Sequence, residues 1–182
     1  SFGSGIFVRP HGICRTVQGD ILGVDDGGHA VYRFDAQRKL IQTLGTRGIP
    51  SDTGCPTDGR YTQILYGGPP FNRPTRLTVD RDGMIYVTDG YRNARVHKFS
   101  PSGQLLASWG EPGTGPGQFQ IPHGIGIDEN QTLYVADREN HRIQRFTTEG
   151  EFVDQWTGFH RPSDIWIDGR GLVYVAECKR TS

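Results

Sequence analysis

The sequence has no excess of either charge and no long apolar run. Lysine plus arginine and aspartate plus glutamate both number 20 among 182 residues, so the formal net charge is zero. Proteins that hold a nucleic-acid backbone usually show a basic excess or a basic stripe, so this composition argues against nucleic acid as a partner. No apolar run approaches the roughly 18 residues of a membrane-spanning helix, and we expect no membrane span.

Paired cysteines and helical periodicity are also lacking. Three cysteines at scattered positions indicate neither a disulfide framework nor a paired-cysteine zinc site, and they leave the compartment unknown. No stretch sustains apolar residues at a period of 3.6. Short alternating runs, such as residues 77–80 and 84–87, lie between turns rich in glycine and aspartate. This pattern predicts an all-β fold.

Internal repetition organises the chain. One phrase occurs four times, as FVRPHGI at 7–13, FNRPTRLTVD at 71–80, FQIPHGIGID at 119–128 and FHRPSDIWID at 159–168. In every copy the proline lies 15 residues before the acid that ends a second apolar run: Pro10 and Asp25, Pro74 and Asp89, Pro122 and Asp137, Pro162 and Glu177. Third and fourth runs follow in the first three copies. Four strands per repeat is the layout of a propeller blade.

The repeats predict a single partial β-propeller domain over residues 1–182. We expect blades at about 5–45, 71–110 and 119–158, an incomplete blade at 159–182 and a long inter-blade insert at 46–70. About three and a half blades cannot close a ring and leave open strand edges. The expectation is therefore a piece of a larger propeller that is inactive or poorly folded alone. The insert forms either a flap over one face or an ordinary ordered excursion.

Histidine alternates between the copies of the phrase. His11 and His123 occupy one slot in the first and third copies, where the second and fourth have Thr75 and Ser163. Because the innermost strands of a propeller line its axis, skipping one of six blades places the two histidines about 120° apart. A third histidine in a fifth copy would complete a catalytic zinc site. Two histidines that simply form hydrogen bonds in a polar channel are the alternative.

Two motif sets carry family resemblances. The turn DGYRNAR at 89–95 and its counterpart DRENHR at 137–142 resemble the NHL repeat. Within these turns we expect the acid and the asparagine to bind turn N–H groups, and Arg95 and Arg142 to pair with acids between strands. What all copies share is therefore expected to build the fold, and what differs between copies is expected to carry the function.

The longer stretch DGYRNARVHKFSPSGQLLASWGEPGTGPGQFQIPHGIGID, followed by LYVADRENHRIQRF, resembles the peptidyl-α-hydroxyglycine α-amidating lyases and their bacterial homologues. The resemblance covers most of residues 5–160. It implies a six-bladed propeller with zinc held by three histidines in alternating blades and a structural calcium ion on the axis. It also implies a peptide or small-molecule substrate with an α-hydroxyglycine-like end, cleaved to an amide and glyoxylate, and an extracytoplasmic or secreted location.

Site residues follow from this resemblance by position. His11 and His123 correspond to two of the three zinc ligands, Tyr91 to the general base and Arg138 to an active-site arginine. The backbone carbonyl of Ile13 corresponds to a calcium ligand. Guanidinium geometry suits a substrate carboxylate. For Tyr91 the alternative is a rim aromatic that packs on its neighbour, and for Arg138 it is an ordinary surface ion pair.

The chain also departs from the animal lyases, which carry disulfides near these motifs. The matching positions hold no cysteine, which indicates a bacterial-type homologue: Asn72, Arg92, Tyr134 and Arg145. Two other functions stay open beside the zinc-dependent lyase. One is a non-catalytic NHL propeller that presents loops to a protein partner. The other is a lactonase-like hydrolase, which would bring acidic metal ligands rather than histidines to the axis.

Overall fold

The computed structural model describes residues 3–178, and its regular structure there is almost entirely β. The strands are β1 (Pro10–Arg15), β2 (Ile21–Asp25), β3 (Ala30–Phe34), β4 (Leu40–Leu44), β5 (Pro74–Val79), β6 (Ile85–Asp89), β7 (Arg95–Phe99), β8 (Leu105–Trp109), β9 (Pro122–Ile127), β10 (Leu133–Asp137), β11 (Arg142–Phe146), β12 (Phe152–Trp156), β13 (Pro162–Ile167) and β14 (Val173–Glu177). Two 3₁₀ turns lie at Tyr61–Gln63 and Arg138–Asn140. No helix within this part of the chain is long and apolar enough to cross a membrane.

The strands form antiparallel sheets in chain order. β1–β4, β5–β8 and β9–β12 are four-stranded sheets, and β13 pairs with β14. The first strands of successive sheets pack side by side, β1 on β5, β5 on β9 and β9 on β13. Successive sheets that meet through their first strands are blades arranged around one axis. The predicted all-β propeller fold is confirmed, and the third and fourth strands also lie where the repeats predict them.

The proline-to-acid spacing has a direct structural meaning. Each proline is paired across the first hairpin of its sheet with the acid 15 residues later: Pro10 with Asp25, Pro74 with Asp89, Pro122 with Asp137 and Pro162 with Glu177. The acid then accepts backbone N–H groups from the residues just before the proline. Asp25 accepts those of Val8 and Arg9, at 2.8 and 2.7 Å. The acid therefore fixes how the chain enters the innermost strand, where the histidines lie.

Apolar side chains fill the spaces between neighbouring sheets. Leu22 and Val24 of the first sheet pack against Leu77 and Ile85 of the second. Phe119 and Phe146 belong to the cluster between the second and third sheets. Fully burying such side chains stabilises the fold by roughly 1.5–3 kcal/mol each. The core is therefore distributed between blades, and the strand ends near the axis are left to polar residues.

The turn contacts agree in part with the NHL-type expectation. Asp137 accepts hydrogen bonds from Asn140 and from the backbone N–H of Gln120, and it pairs with Arg142 at 2.8 Å. The prediction that Arg95 also pairs with an acid is wrong. Its guanidinium donates instead to the carbonyl oxygens of Ser108 and Gly67, because the insert runs beside it.

Replacing Arg142 with methionine is expected to destabilise the fold by about 3–5 kcal/mol, because Asp137 would be left as a buried, uncompensated charge. Both side chains are at most 7% exposed. Urea unfolding monitored by tryptophan fluorescence measures the effect. Arg145→Met is the control, since its pair with Asp154 is far more exposed and is worth about 0–1 kcal/mol. Equal losses in the two variants would contradict the assignment of Arg142 as a buried anchor.

Candidate functional site

Three side chains from three different blades meet near the axis. His11 lies on β1, Tyr91 follows β6 and His123 lies on β9. The Oη atom of Tyr91 lies 3.0 Å from Nε2 of His11 and 3.0 Å from Nε2 of His123. The two imidazole centroids are 5.1 Å apart. The structure therefore brings together residues that are up to 112 positions apart in the sequence.

The two blades that have Thr75 and Ser163 at the histidine position orient the two imidazoles. Nδ1 of His11 lies 2.7 Å from the carbonyl oxygen of Thr75, and Nδ1 of His123 lies 2.6 Å from that of Ser163. A carbonyl oxygen only accepts, so each Nδ1 carries the proton and each neutral ring keeps its lone pair on Nε2. Backbone carbonyls commonly fix metal-binding histidines in this way. Thr75 and Ser163 therefore hold the histidines in one tautomer through their backbone oxygens.

The glycine of the repeated PHGI phrase makes these contacts possible. A Cβ atom at Gly12 would lie 2.9 Å from the carbonyl oxygen of Thr75, and one at Gly124 would lie 2.7 Å from Cα of Asp164. Any side chain at either position would push neighbouring inner strands apart. The glycine after each histidine therefore lets the next blade come close enough for its carbonyl oxygen to contact the imidazole.

Replacing Gly124 with alanine is expected to lower zinc affinity about 10–100-fold, the usual cost of disturbing a contact that orients a metal-ligating histidine. The change would move β13 and lengthen the bond from His123 to Ser163. Competition for zinc with a fluorescent chelator measures it. Gly126→Ala, on the same strand but facing only the side chains of Ile165 and Ile167, is the control. Unchanged affinity for Gly124→Ala would contradict the role given to the carbonyl.

The donor set fits a zinc ion, although it is incomplete in this chain. Tyr91 has one hydroxyl proton, so it can donate to only one of the two Nε2 atoms that it contacts. The other Nε2 lone pair faces the tyrosine oxygen without a proton between them. Two imidazole nitrogens that face each other across the Tyr91 oxygen are donors of the kind that zinc prefers. Within residues 3–178 no third histidine, cysteine or acid joins them.

The electrostatic surroundings keep His123 neutral. Burial and, to a smaller extent, the positive charges of Arg138 and Arg76 together lower the pKa of His123 to about 4, against the raising effect of the Ser163 carbonyl. A neutral imidazole is the form that binds a metal ion, because protonation removes the lone pair. His123 is therefore ready to act as a ligand at physiological pH without losing a proton.

Arg138 lies beside the same tyrosine. Its Cζ atom is 5.5 Å from the centroid of the Tyr91 ring, and its side chain is 13% exposed. Nε donates to Glu139 at 2.9 Å, and Glu139 is shared with Arg161. The two Nη groups form no hydrogen bond within the described residues 3–178. Arg138 thus places a guanidinium next to Tyr91. Glu139 fixes its position, and its two Nη groups can donate hydrogen bonds to a ligand.

Ile13 lies on the inner strand β1, two residues after His11. Its side chain is 62% exposed, whereas the equivalent Leu77, Ile125 and Ile165 are buried. Each of those three side chains packs against the sheet that precedes its own, and among the described residues no sheet precedes the first one. The predicted role of the Ile13 carbonyl in binding calcium stays a prediction.

A cleft opens next to His11 and Tyr91 on the side of the insert. Its volume is about 530 Å³, and its lining includes Tyr61 of the insert. Four arginines also line it: Arg9, Arg60, Arg73 and Arg92. Sequence reasoning missed this cluster, although the repeated arginine before proline at positions 9 and 73 was a signal for two of its members.

A second histidine constellation is structural. Nδ1 of His97 lies 2.7 Å from Oγ of Ser108, and its Nε2 lies 3.5 Å from Asp89. The composition is that of a Ser-His-Asp triad, but His97 and Asp89 are both 0% exposed and packed inside the second sheet. No substrate can reach such a group. The equivalent position in the third sheet holds Gln144, which has no acid–base function.

Comparisons with known proteins identify a repeat family and similar proteins for this chain. The NHL repeat family matches residues 71–99 and 119–146. A probable peptidyl-α-hydroxyglycine α-amidating lyase from Caenorhabditis elegans is 34% identical over 150 residues, covering 80% of this chain and 39% of that protein. The human NHL repeat-containing protein 3 is 34% identical over 179 residues, covering 90% of this chain and 48% of that protein. The chain therefore spans less than half the length of each.

Among solved structures, a virginiamycin B lyase from Staphylococcus aureus superposes with a TM-score of 0.66. The two are 15% identical, and the match covers 93% of this chain and 49% of the other. At that identity the likeness shows the propeller fold alone.

Proposed function

Since this chain is a β-propeller segment with NHL repeats and is similar to an α-amidating lyase, we propose that the intact protein is a zinc-dependent carbon–nitrogen lyase. Its substrate is an α-hydroxyglycine-like carbinolamide, which it cleaves to an amide and glyoxylate. The observation that carries the proposal is the convergence of Nε2 of His11 and Nε2 of His123 on the hydroxyl of Tyr91, each at 3.0 Å.

His11 and His123 would hold the zinc ion, together with a further ligand from outside this chain. When bound, zinc supplies Lewis-acid chemistry toward a substrate oxygen. The contribution of the chain itself is to present two imidazoles through Nε2, because the carbonyl oxygens of Thr75 and Ser163 accept the Nδ1 hydrogen bonds. Fixed orientation of such ligands is what gives a site its selectivity and geometry.

Tyr91 is proposed to move the proton. Its oxygen, as phenolate, accepts the proton of the substrate hydroxyl, and the O–H electron pair becomes the C=O bond of glyoxylate. The carbon–nitrogen bond breaks, its electron pair goes to the amide nitrogen, and that nitrogen takes up a proton. Atoms and charge balance without an oxidant or reductant. Arg138 binds the carboxylate of the glyoxylate portion through its spare Nη donors.

The direct test is to incubate the intact, zinc-loaded protein with α-hydroxyhippurate. The proposal expects benzamide and glyoxylate in a one-to-one ratio, and a loss of turnover after chelation that zinc restores. Absence of glyoxylate from the zinc-loaded protein would overturn it.

A non-catalytic NHL propeller is the second candidate, favoured by the similarity to NHL repeat-containing protein 3 over 90% of this chain. That protein class would use the loops to bind a partner, and it has no need of two imidazoles held in one tautomer. A protein that binds no zinc and releases no glyoxylate would support this second function.

A further inference from the structure

The cleft beside the candidate site carries positive charge that the protein does not neutralise. Of its four arginines, only Arg9 has an acid partner, since it pairs with Asp26. Among the residues that the structure describes, Arg60, Arg73 and Arg92 form no ion pair. The lining therefore presents four guanidinium groups and one carboxylate.

Arg73 shows the effect of placing four guanidinium groups in one cleft. Its Nε atom is buried without a hydrogen-bond partner in the described part of the chain. The pKa of Arg73 is lowered, chiefly by burial and then by the positive charges of Arg92 and Arg9, with Asp26 opposing. Holding like charges together costs free energy unless an anion joins them. An anion in the cleft would offset that cost, and the arginines that line it come from two blades and the insert.

We propose that this cleft binds a carboxylate on the acyl side of the substrate, so that the preferred substrate is a dianion. This inference rests on the proposed lyase function and names its substrate class. His11 and Tyr91 line the cleft, whereas Arg138 lies at the Tyr91 ring outside it. A substrate with its hydroxyl at Tyr91 and its glyoxylate carboxylate at Arg138 directs its acyl group away from Arg138 and into the cleft.

The arginines of the cleft come from separate segments of the chain. Arg92 immediately follows Tyr91, and Arg73 donates its backbone N–H to His29 of the first sheet at 3.1 Å. Arg60 comes from the insert, next to the 3₁₀ turn that starts at Tyr61. The loop that aims the proposed base therefore also aims an arginine into the cleft, which couples recognition of the acyl group to the position of Tyr91.

The experiment compares two substrates with the intact, zinc-loaded protein. N-glutaryl-α-hydroxyglycine has the acyl carboxylate, and N-pentanoyl-α-hydroxyglycine lacks it. We expect kcat/KM at least about 10-fold higher for the glutaryl substrate, since a hydrogen bond to a charged group is stronger than one between neutral groups. The preference should fall as salt is raised. Arg92→Gln and Arg73→Gln, made separately, should each reduce the ratio of the two values toward one.

Arg81→Gln is the matched control, because Arg81 is an exposed arginine at the other end of β5 and should leave the ratio unchanged. Calorimetric titration with glutarate gives a readout without catalysis, with weaker binding expected in Arg92→Gln and unchanged binding in Arg81→Gln. Equal kcat/KM for both substrates in the unmodified protein would overturn the inference while the lyase function stands. Glutarate binding that depends on Arg92, without any glyoxylate release, would support the anion site and overturn the lyase function instead.

Discussion

Replacing His123 with alanine is expected to lower the zinc affinity of the intact protein by at least about 100-fold and to abolish glyoxylate release. The reason is that His123 is half-buried, neutral and held by the Ser163 carbonyl with its Nε2 lone pair toward Tyr91. Disturbing only the outer contacts of a metal-binding histidine costs about 10–100-fold, so removing the ligand itself should cost more. Zinc content after dialysis and steady-state glyoxylate release measure the two effects.

The matched control is His97→Gln. His97 is fully buried, its partners are Ser108 and Asp89, and a glutamine already occupies its position in the third sheet as Gln144. The control should keep its zinc whatever it costs in stability. Unchanged zinc content in His123→Ala, or an equal loss of zinc in both variants, would show that His123 is not a ligand.

Replacing Tyr91 with phenylalanine is expected to reduce turnover about 10²–10⁴-fold, the usual contribution of a positioned acid–base group. Zinc content should stay near one per chain, because both imidazoles keep their carbonyl partners. Rapid-quench measurement of glyoxylate, beside metal analysis of the same sample, separates loss of the base from loss of the metal.

Tyr66→Phe is the control for the loss of a phenol. Tyr66 lies in the insert, is exposed, and donates its hydroxyl to Asp52 at 2.8 Å. The turnover of the Tyr66→Phe variant should match that of the unmodified protein. Full activity in Tyr91→Phe would remove Tyr91 from the mechanism, and loss of zinc in that variant would make it a ligand rather than a base.

Much of the fold was predictable because one repeat recurs in register. The constant interval from proline to acid corresponds to two residues that pair across the first hairpin of each sheet, such as Pro10 with Asp25 and Pro122 with Asp137. A hairpin of fixed length with an acid at its end can be recognised from sequence, since the acid must reach the same N–H groups each time. The alternation of histidines predicted their convergence for the same reason, because equivalent positions in a propeller share one axis.

Contacts made by backbone atoms were not predictable. The carbonyl oxygens that orient His11 and His123 belong to Thr75 and Ser163. Every residue type has a backbone carbonyl, so the sequence does not indicate which one makes the contact. The pairing of Arg95 with an acid failed because the insert provides the carbonyl of Gly67 in its place. The cationic cleft depends in part on the same insert, which supplies Arg60 and has no counterpart in the other repeats, whereas Arg9 and Arg73 come from the repeated phrase. Features that arise from one irregular segment cannot be read from a repeat.

Anomalous diffraction at the zinc absorption edge, from crystals of the intact protein grown with zinc, tests the central claim most directly. We expect one strong peak about 2.0–2.1 Å from Nε2 of His11 and from Nε2 of His123, the usual zinc–nitrogen distance, with the hydroxyl of Tyr91 beside it. A peak elsewhere, or no peak between the two histidines at full zinc occupancy, would contradict the assignment of these residues to a zinc-dependent lyase.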